Sequence, residues 1–160
     1  MEIHRLTADE HGRLRSIRLR ALTEAPGAFG TTFEQAASWP SEVWRGQLTG
    51  LAAFVAVVGD TDVGLVRGRP DASDEGSARL SSLWVVPQAR GTGVGASLID
   101  TVVGWARSQG FRQLRLGVND DNAEAIALYA RKGFEPSGEV GTLPPPRDHL
   151  GKHDRILKLL

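Results

Sequence analysis

The run Val85-Val86-Pro87-Gln88-Ala89-Arg90-Gly91-Thr92-Gly93-Val94-Gly95 holds the residues of this chain best arranged for chemistry. A strand-like stretch from Leu80 to Val86 stops at Pro87. A glycine-punctuated turn follows, and an apolar-periodic segment from Ala96 to Ser108 reads as a helix. Strand, glycine-rich turn and helix together make an anion site. Glycines let the backbone approach a phosphate, and the first N–H groups of a helix lack intrahelical partners and point at it. The layout predicts a ligand that carries a pyrophosphate.

Two cofactors compete for that turn. Gly91-x-Gly93-x-x-Ala96 satisfies the dinucleotide pattern G-x-G-x-x-G/A. That pattern normally opens its domain and is followed, about twenty residues on, by an acid for the ribose. Here a long globular-looking segment precedes it, the later region holds Arg112 and Arg115, and the first acids are Asp120 and Asp121. Arg90-x-x-Gly93-x-Gly95 fits better. It resembles the Q/R-x-x-G-x-G/A signature of the GCN5-related N-acetyltransferases, and Val85-Val86-Pro87 matches the V-x-P before it. A second block, Asn119 to Phe134, resembles the family's N-x-x-N-x-x-A-x-x-L-Y-x-x-x-G-F segment nearly position for position. The distance between the blocks accommodates one helix and one strand.

The resemblance implies roles. Acetyl-CoA is the cosubstrate, its pyrophosphate held by the loop amides of Arg90, Gly91, Thr92, Gly93, Val94, Gly95 and Ala96. Its pantetheine arm pairs with the backbone of the preceding strand at Leu83, Val85 and Val86, and an N–H near Val85 faces the thioester carbonyl. The Arg90 side chain adds charge-assisted bonds. Tyr129 protonates the leaving thiolate; the plainer reading is a core tyrosine satisfied by backbone. Asn122 and Tyr129 lie two helical turns apart, roughly 10 Å along one face. Asn122 contacts the cofactor, caps its helix, or does both. The family's glutamate on the strand before the loop is missing: Arg79-Leu80-Ser81-Ser82-Leu83-Trp84 has no acid. Glu34 is the candidate base, against a plainer reading as a solvated glutamate. His153 and Asp154 are alternatives. Trp39 and Trp44 read as core rather than as an acceptor pocket.

Composition narrows the field. With 160 residues, the chain is expected to form one domain, 1–160. A formal net charge of zero gives no nucleic-acid surface. Leu51 to Val58 is too short an apolar run to span a bilayer. Met1 to Arg5 lacks the apolar core of a signal peptide. These features predict a cytoplasmic protein with no membrane partner. Zero cysteines exclude disulfides, a thiol nucleophile and an acetyl-cysteine intermediate. Four histidines without ligand spacing predict no metal site.

The elements that must position the site follow from punctuation and period. Ile3–Leu6 reads as a strand and Ala8–Glu24 as a helix, with Leu14, Ile17 and Ala21 on one face and Thr7 as cap. Pro26-Gly27 breaks it. A helical region from Thr32 to Leu48 is interrupted near Pro40, with Ser41 capping its second half. Strands are expected at 51–58, 63–69, 78–86 and 112–118, and helices at 96–110 and 123–132. A strand from Phe134, a Pro144-Pro145-Pro146 loop and a strand at 155–160 close the chain. The pattern predicts an α/β or α+β sandwich around a mostly antiparallel sheet; the resemblance implies a mixed sheet splayed near the glycine loop. The expected activity is acetyl transfer to an amine-bearing acceptor by direct attack. The alternative is a non-catalytic acyl-CoA-binding domain. Homodimer formation is left open.

Overall fold

In the computed structural model, residues 1–143, 145, 148, 149 and 151–159 are described. Pro144 and Pro146 of the expected loop and Leu160 of the expected last strand lie outside them. Seven strands form one sheet in the order β1-β2-β3-β4-β5-β7-β6. They are β1 (Glu2–Arg5), β2 (Ala52–Val58), β3 (Thr61–Pro70), β4 (Ser77–Val85), β5 (Gln113–Asn119), β6 (Glu135–Thr142) and β7 (Gly151–Lys158). The pairing is antiparallel except between β4 and β5. The fold is thus α+β with a mostly antiparallel mixed sheet. One parallel pair does not make a doubly wound dinucleotide fold, so the weaker reading of the glycine turn loses its scaffold.

The helices are α1 (His11–Glu24), α2 (Phe33–Ala37), α3 (Ser41–Gly50), α4 (Val94–Ser108) and α5 (Ala123–Arg131). α4 lies on one face of β3, and glycines set its distance. A Cβ on Gly68 would come 2.8 Å from the Trp105 ring, and one on Gly64 would come 2.9 Å from Leu98. Leu98, Ile99 and Val102 are fully buried in that layer, as the helical period requires. α1 and α3 cover the opposite face with Leu14, Ile17, Ala21 and Trp44. Trp44 is buried and its ring lies 5.2 Å from that of Trp39, so both belong to the core.

Several boundaries moved for local reasons. The first helix begins as a 3-10 turn, Ala8–Glu10, in which Thr7 and Glu10 form a capping box. Pro40, not Ser41, holds the cap position of α3; Ser41 is its first helical residue. α4 starts at Val94 rather than Ala96, because Gly93 adopts the left-handed conformation that ends the turn. β7 starts four residues before the expected Arg155, since its pairing with β5 runs from Lys152 opposite Asn119 to Lys158 opposite Gln113. Hydropathy alone did not reveal it, because Lys152, His153 and Asp154 are polar.

Candidate active site

The site begins where the sheet comes apart. β4 and β5 pair only over Ser77–Arg79 and Gln113–Arg115, at one end of each strand. Beyond Arg79 the β4 edge pairs with no strand among the described residues. Alternate residues of a strand direct their backbone groups to opposite sides. Val86 N–H donates to the Val63 carbonyl at 2.9 Å, toward β3. The N–H and C=O of Val85 therefore face the gap, where its carbonyl meets Arg90. A bulge sharpens the divergence: Leu65 pairs with Trp84 and Arg67 with Ser81, so Ser82 and Leu83 together oppose Val66. Ser82 has φ 61°, and among the described residues no other non-glycine is recorded with positive φ. Backbone strain of this kind is retained where the surroundings hold it in place.

At the end of that edge sits the glycine turn. Gly91 (φ 78°) and Gly93 (φ 93°) are left-handed, and a Cβ on either would meet nothing within 4 Å. The backbone there is bare and open to solvent. Val94, Gly95 and Ala96 open α4, so their amides have no intrahelical acceptor. Val94 itself is buried, as is Val86. Gly95 has a second duty: a Cβ on it would press to 3.1 Å from Leu128 of α5. The close approach brings α5 against the turn. Thr92 bonds the Ala89 carbonyl through its hydroxyl, which braces the turn internally. Arg90 is likewise engaged by the protein. Its Nε donates to the Val85 carbonyl at 3.0 Å and its Nη2 to Glu24 at 2.7 Å. What this turn presents outward is backbone.

On α5, Asn122 is the N-cap, and its side-chain oxygen accepts from Ala125 N–H at 3.2 Å. The capping reading of Asn122 therefore holds. Tyr129 is buried, with its ring edge-on to Phe134 at 5.7 Å. Its side chain is part of the buried core, as the plainer reading expects. Burial raises its pKa well above the ordinary phenol value, so the proton stays on at neutral pH.

The base candidates fare differently. Glu34 is exposed in the first turn of α2, without an ion pair among the described residues. A carboxylate there suits the helix dipole and needs no other explanation. Asp154 is tied up by Arg79 at 2.9 Å and Arg115 at 3.8 Å. His153 meets the Asp120 carboxylate through Nδ1, and both side chains are about half exposed. Among the described residues no group of His, Cys, Asp and Glu is placed to hold a metal, and no helix is long and apolar enough to cross a membrane.

Four residues escaped the sequence reading. Glu24 accepts from the Trp84 indole N–H at 2.9 Å as well as from Arg90, fastening α1 to the end of β4. Those two bonds hold its carboxyl below the usual range. Asn119 is buried and donates its side-chain amide to the Gly27 carbonyl, linking the end of β5 to the segment after α1. Arg18 is buried under the Phe29 ring at 4.8 Å. Arg67 donates to Ser82 at the bulge. Only Arg18 left a signal: it falls four residues after Leu14 and three before Ala21, on the apolar face of α1. Outside α1, a groove of about 640 Å³ runs past Leu19, Arg20 and Phe33 to Trp84 and Pro87.

Comparison with known proteins agrees with this geometry. The model of the Acetyltransferase (GNAT) family matches residues 17–134. The chain belongs to that family. A mycothiol acetyltransferase of Jonesia denitrificans is 38% identical over 79 residues, covering 43% of this chain and 25% of that protein. An uncharacterized N-acetyltransferase of Mycobacterium tuberculosis is 36% identical over 74 residues, 46% of this chain and 44% of that one. The chain thus spans less than half the length of these curated relatives. Among solved structures, a GNAT-family acetyltransferase from Streptococcus pneumoniae superposes with TM-score 0.82 at 17% identity, over 98% of both chains. A putative acetyltransferase from Salmonella typhimurium, solved with its cofactor acetyl-CoA, gives 0.78 at 20% identity, over 100% of this chain and 94% of that one. At these identities the likeness concerns the fold.

Proposed function

We propose that the protein transfers an acetyl group from acetyl-CoA to a primary amine by direct attack, with no covalent enzyme intermediate. The observation that carries this reading is the splayed β4 edge running into a bare, left-handed glycine turn. An extended, amide-bearing arm ending in a pyrophosphate fits both parts at once. The chain's own groups match acetyl-CoA in kind: Val85 offers a main-chain donor and acceptor, and the amides from Gly91 to Ala96 offer an anion cradle. The helix dipole of α4 contributes about 0.3–1 kcal/mol per exposed charge. Arg90 leaves the Val85 carbonyl when the arm pairs there.

Acetyl-CoA supplies an activated acyl group as a thioester. The amine nitrogen forms a bond to the acetyl carbon and the carbon–sulfur bond breaks. Val85 N–H stabilises negative charge that develops on the carbonyl oxygen. Tyr129 donates a proton to the departing thiolate, and its raised pKa keeps it in the donor form. The nitrogen sheds two protons, one before attack and one as the amide forms; one restores Tyr129 by way of solvent and the other is released, with Glu34 as the proposed base. The family's names for its relatives support acyl transfer; the acceptor is taken up below.

The deciding experiment is thermal unfolding with acetyl-CoA, with NADH as control, followed by release of free CoA thiol across a panel of amines. A ligand that binds only the folded state stabilises it by about 2.7 kcal/mol at a hundredfold excess over Kd. A shift with acetyl-CoA and thiol release with an amine is the expected result. A shift without turnover for any amine favours the non-catalytic acyl-CoA domain. No shift at millimolar acetyl-CoA overturns both.

A further inference from the structure

Arg18 and, at the bulge, Arg67 lack the carboxylate partner that Arg13, Arg79, Arg90 and Arg115 each have among the described residues. Arg13 pairs with Asp62 and Glu10, Arg79 with Asp71 and Asp154, Arg90 with Glu24, and Arg115 with Asp154 and Glu139. Arg18 pairs with no carboxylate among the described residues. It is 3% exposed, and its buried Nη1 has no hydrogen-bond partner. Arg67, half-buried on β3, bonds only neutral groups: Nε to Ser82 Oγ at 2.9 Å and Nη1 to Gln47 Oε1 at 2.8 Å. Burying a charge without a counter-charge is expensive. Burial, and then the charge of Arg67, pushes Arg18 down to about 9; burial, and then the charge of Arg69, pushes Arg67 down to about 10. The charge of Arg67 acts unfavourably on Arg18. The Phe29 ring over Arg18 offsets only part of this cost.

Such a pair is what a binding site for an oxyanion looks like without its oxyanion. We propose that the acceptor is a small amine carrying a carboxylate, an α-amino acid or close analogue, and that Arg18 and Arg67 receive that carboxylate beside the Ser82 bulge. The proposal rests on the acetyl-transfer reading. Its geometry is economical: Arg67 touches Ser82, and Val85, whose backbone faces the thioester in that reading, follows on the same strand. In an α-amino acid the amine and the carboxylate share one carbon. Fixing the carboxylate at the arginines therefore leaves the amine at the bulge. The segment after α1 reaches Arg18. Phe29 stacks on Arg18, and Gly27 is bonded by Asn119 from the end of β5. A guanidinium meets a carboxylate through paired N–H donors, which a carboxamide cannot reproduce.

The test measures free CoA thiol with the twenty L-amino acids, their carboxamides, phosphoethanolamine, and tryptamine and spermidine as amines without an anion. We expect at least one amino acid to exceed its own amide by a hundredfold or more in kcat/KM. Arg18→Met should bring that ratio close to one while raising the Tm of the ligand-free protein, because it removes an unpaired buried charge. Arg67→Met, at a half-buried position, gives the same ratio readout without touching the core of α1. Equal rates for acids and amides, or preference for phosphoethanolamine, would overturn the proposal. So would a lowered Tm for Arg18→Met with the acid preference intact, which is what a purely structural cation gives. If only tryptamine or spermidine is acetylated, this inference falls and acetyl transfer stands. If acetyl-CoA neither shifts the Tm nor reacts with any amine, acetyl transfer falls and this inference with it.

Discussion

Replacing Gly93 by alanine separates backbone strain from ligand contact. Gly93 sits at φ 93° in the turn, and Gly59 sits at φ 61° between β2 and β3, far along the chain from any proposed contact. A Cβ at either position would meet nothing within 4 Å. Gly93→Ala and Gly59→Ala therefore carry the same kind of cost: an L-residue held in a left-handed conformation, about 1–2 kcal/mol. For a chain of this size each kcal/mol lowers Tm by about 2–4 °C, so both variants should lose about 2–8 °C. Ligand binding should part them. The open space beside Gly93 is where the pyrophosphate is proposed to lie, and a methyl group there displaces it from the amides of Val94 and Gly95. Loss of one hydrogen bond to a charged group costs about 1.5–3 kcal/mol. That corresponds to about 10- to 150-fold in Kd. Calorimetric titration with acetyl-CoA should show this loss for Gly93→Ala and none for Gly59→Ala. Equal affinities in the two variants would refute a phosphate site at the turn, whatever the Tm values.

Other consequences can be measured directly. Tyr129→Phe should lower kcat by about a hundredfold or more, the usual worth of a general acid, and leave acetyl-CoA affinity unchanged; single-turnover rates equal to wild type would remove Tyr129 from the acid role. Glu24 has a lowered folded pKa, chiefly through the Trp84 indole bond and then Arg90. Its contribution to stability is present above the unfolded carboxylate pKa of about 4.3 and is lost as pH falls through the folded value. Urea denaturation between pH about 6 and 3 should therefore show a shallower acid loss for Glu24→Gln than for wild type; parallel curves would mean the clamp carries no linkage. Gly68→Ala should destabilise by about 1–3 kcal/mol through overpacking, since its Cβ would come 2.8 Å from Trp105. An unchanged Tm for that variant would show that α4 can lift from the sheet freely.

The sequence by itself determined the frame. Local chemistry fixed the turn, because left-handed glycines, a proline stop and an amphipathic helix act over a few residues. The same holds for Asn122, which caps α5 by bonding three residues ahead. Hydrophobic period placed Leu98 and Val102 in the core, while Trp105 of the same periodic set is only partly buried. The sheet's splay, the bulge and the meeting of distant groups were decided only by the tertiary structure. Ser82 is unremarkable in sequence, and its conformation follows from the two-against-one register between β3 and β4. Glu24 meets Trp84 and Arg90 across some sixty residues of chain, and Asn119 meets Gly27 across about ninety. No short pattern encodes such contacts; they arise when layers pack. The unpaired arginines show the limit most clearly. One charged residue on an apolar helix face is visible as an oddity, but whether an acid answers it depends on every element packed around it. Here, among the described residues, none does.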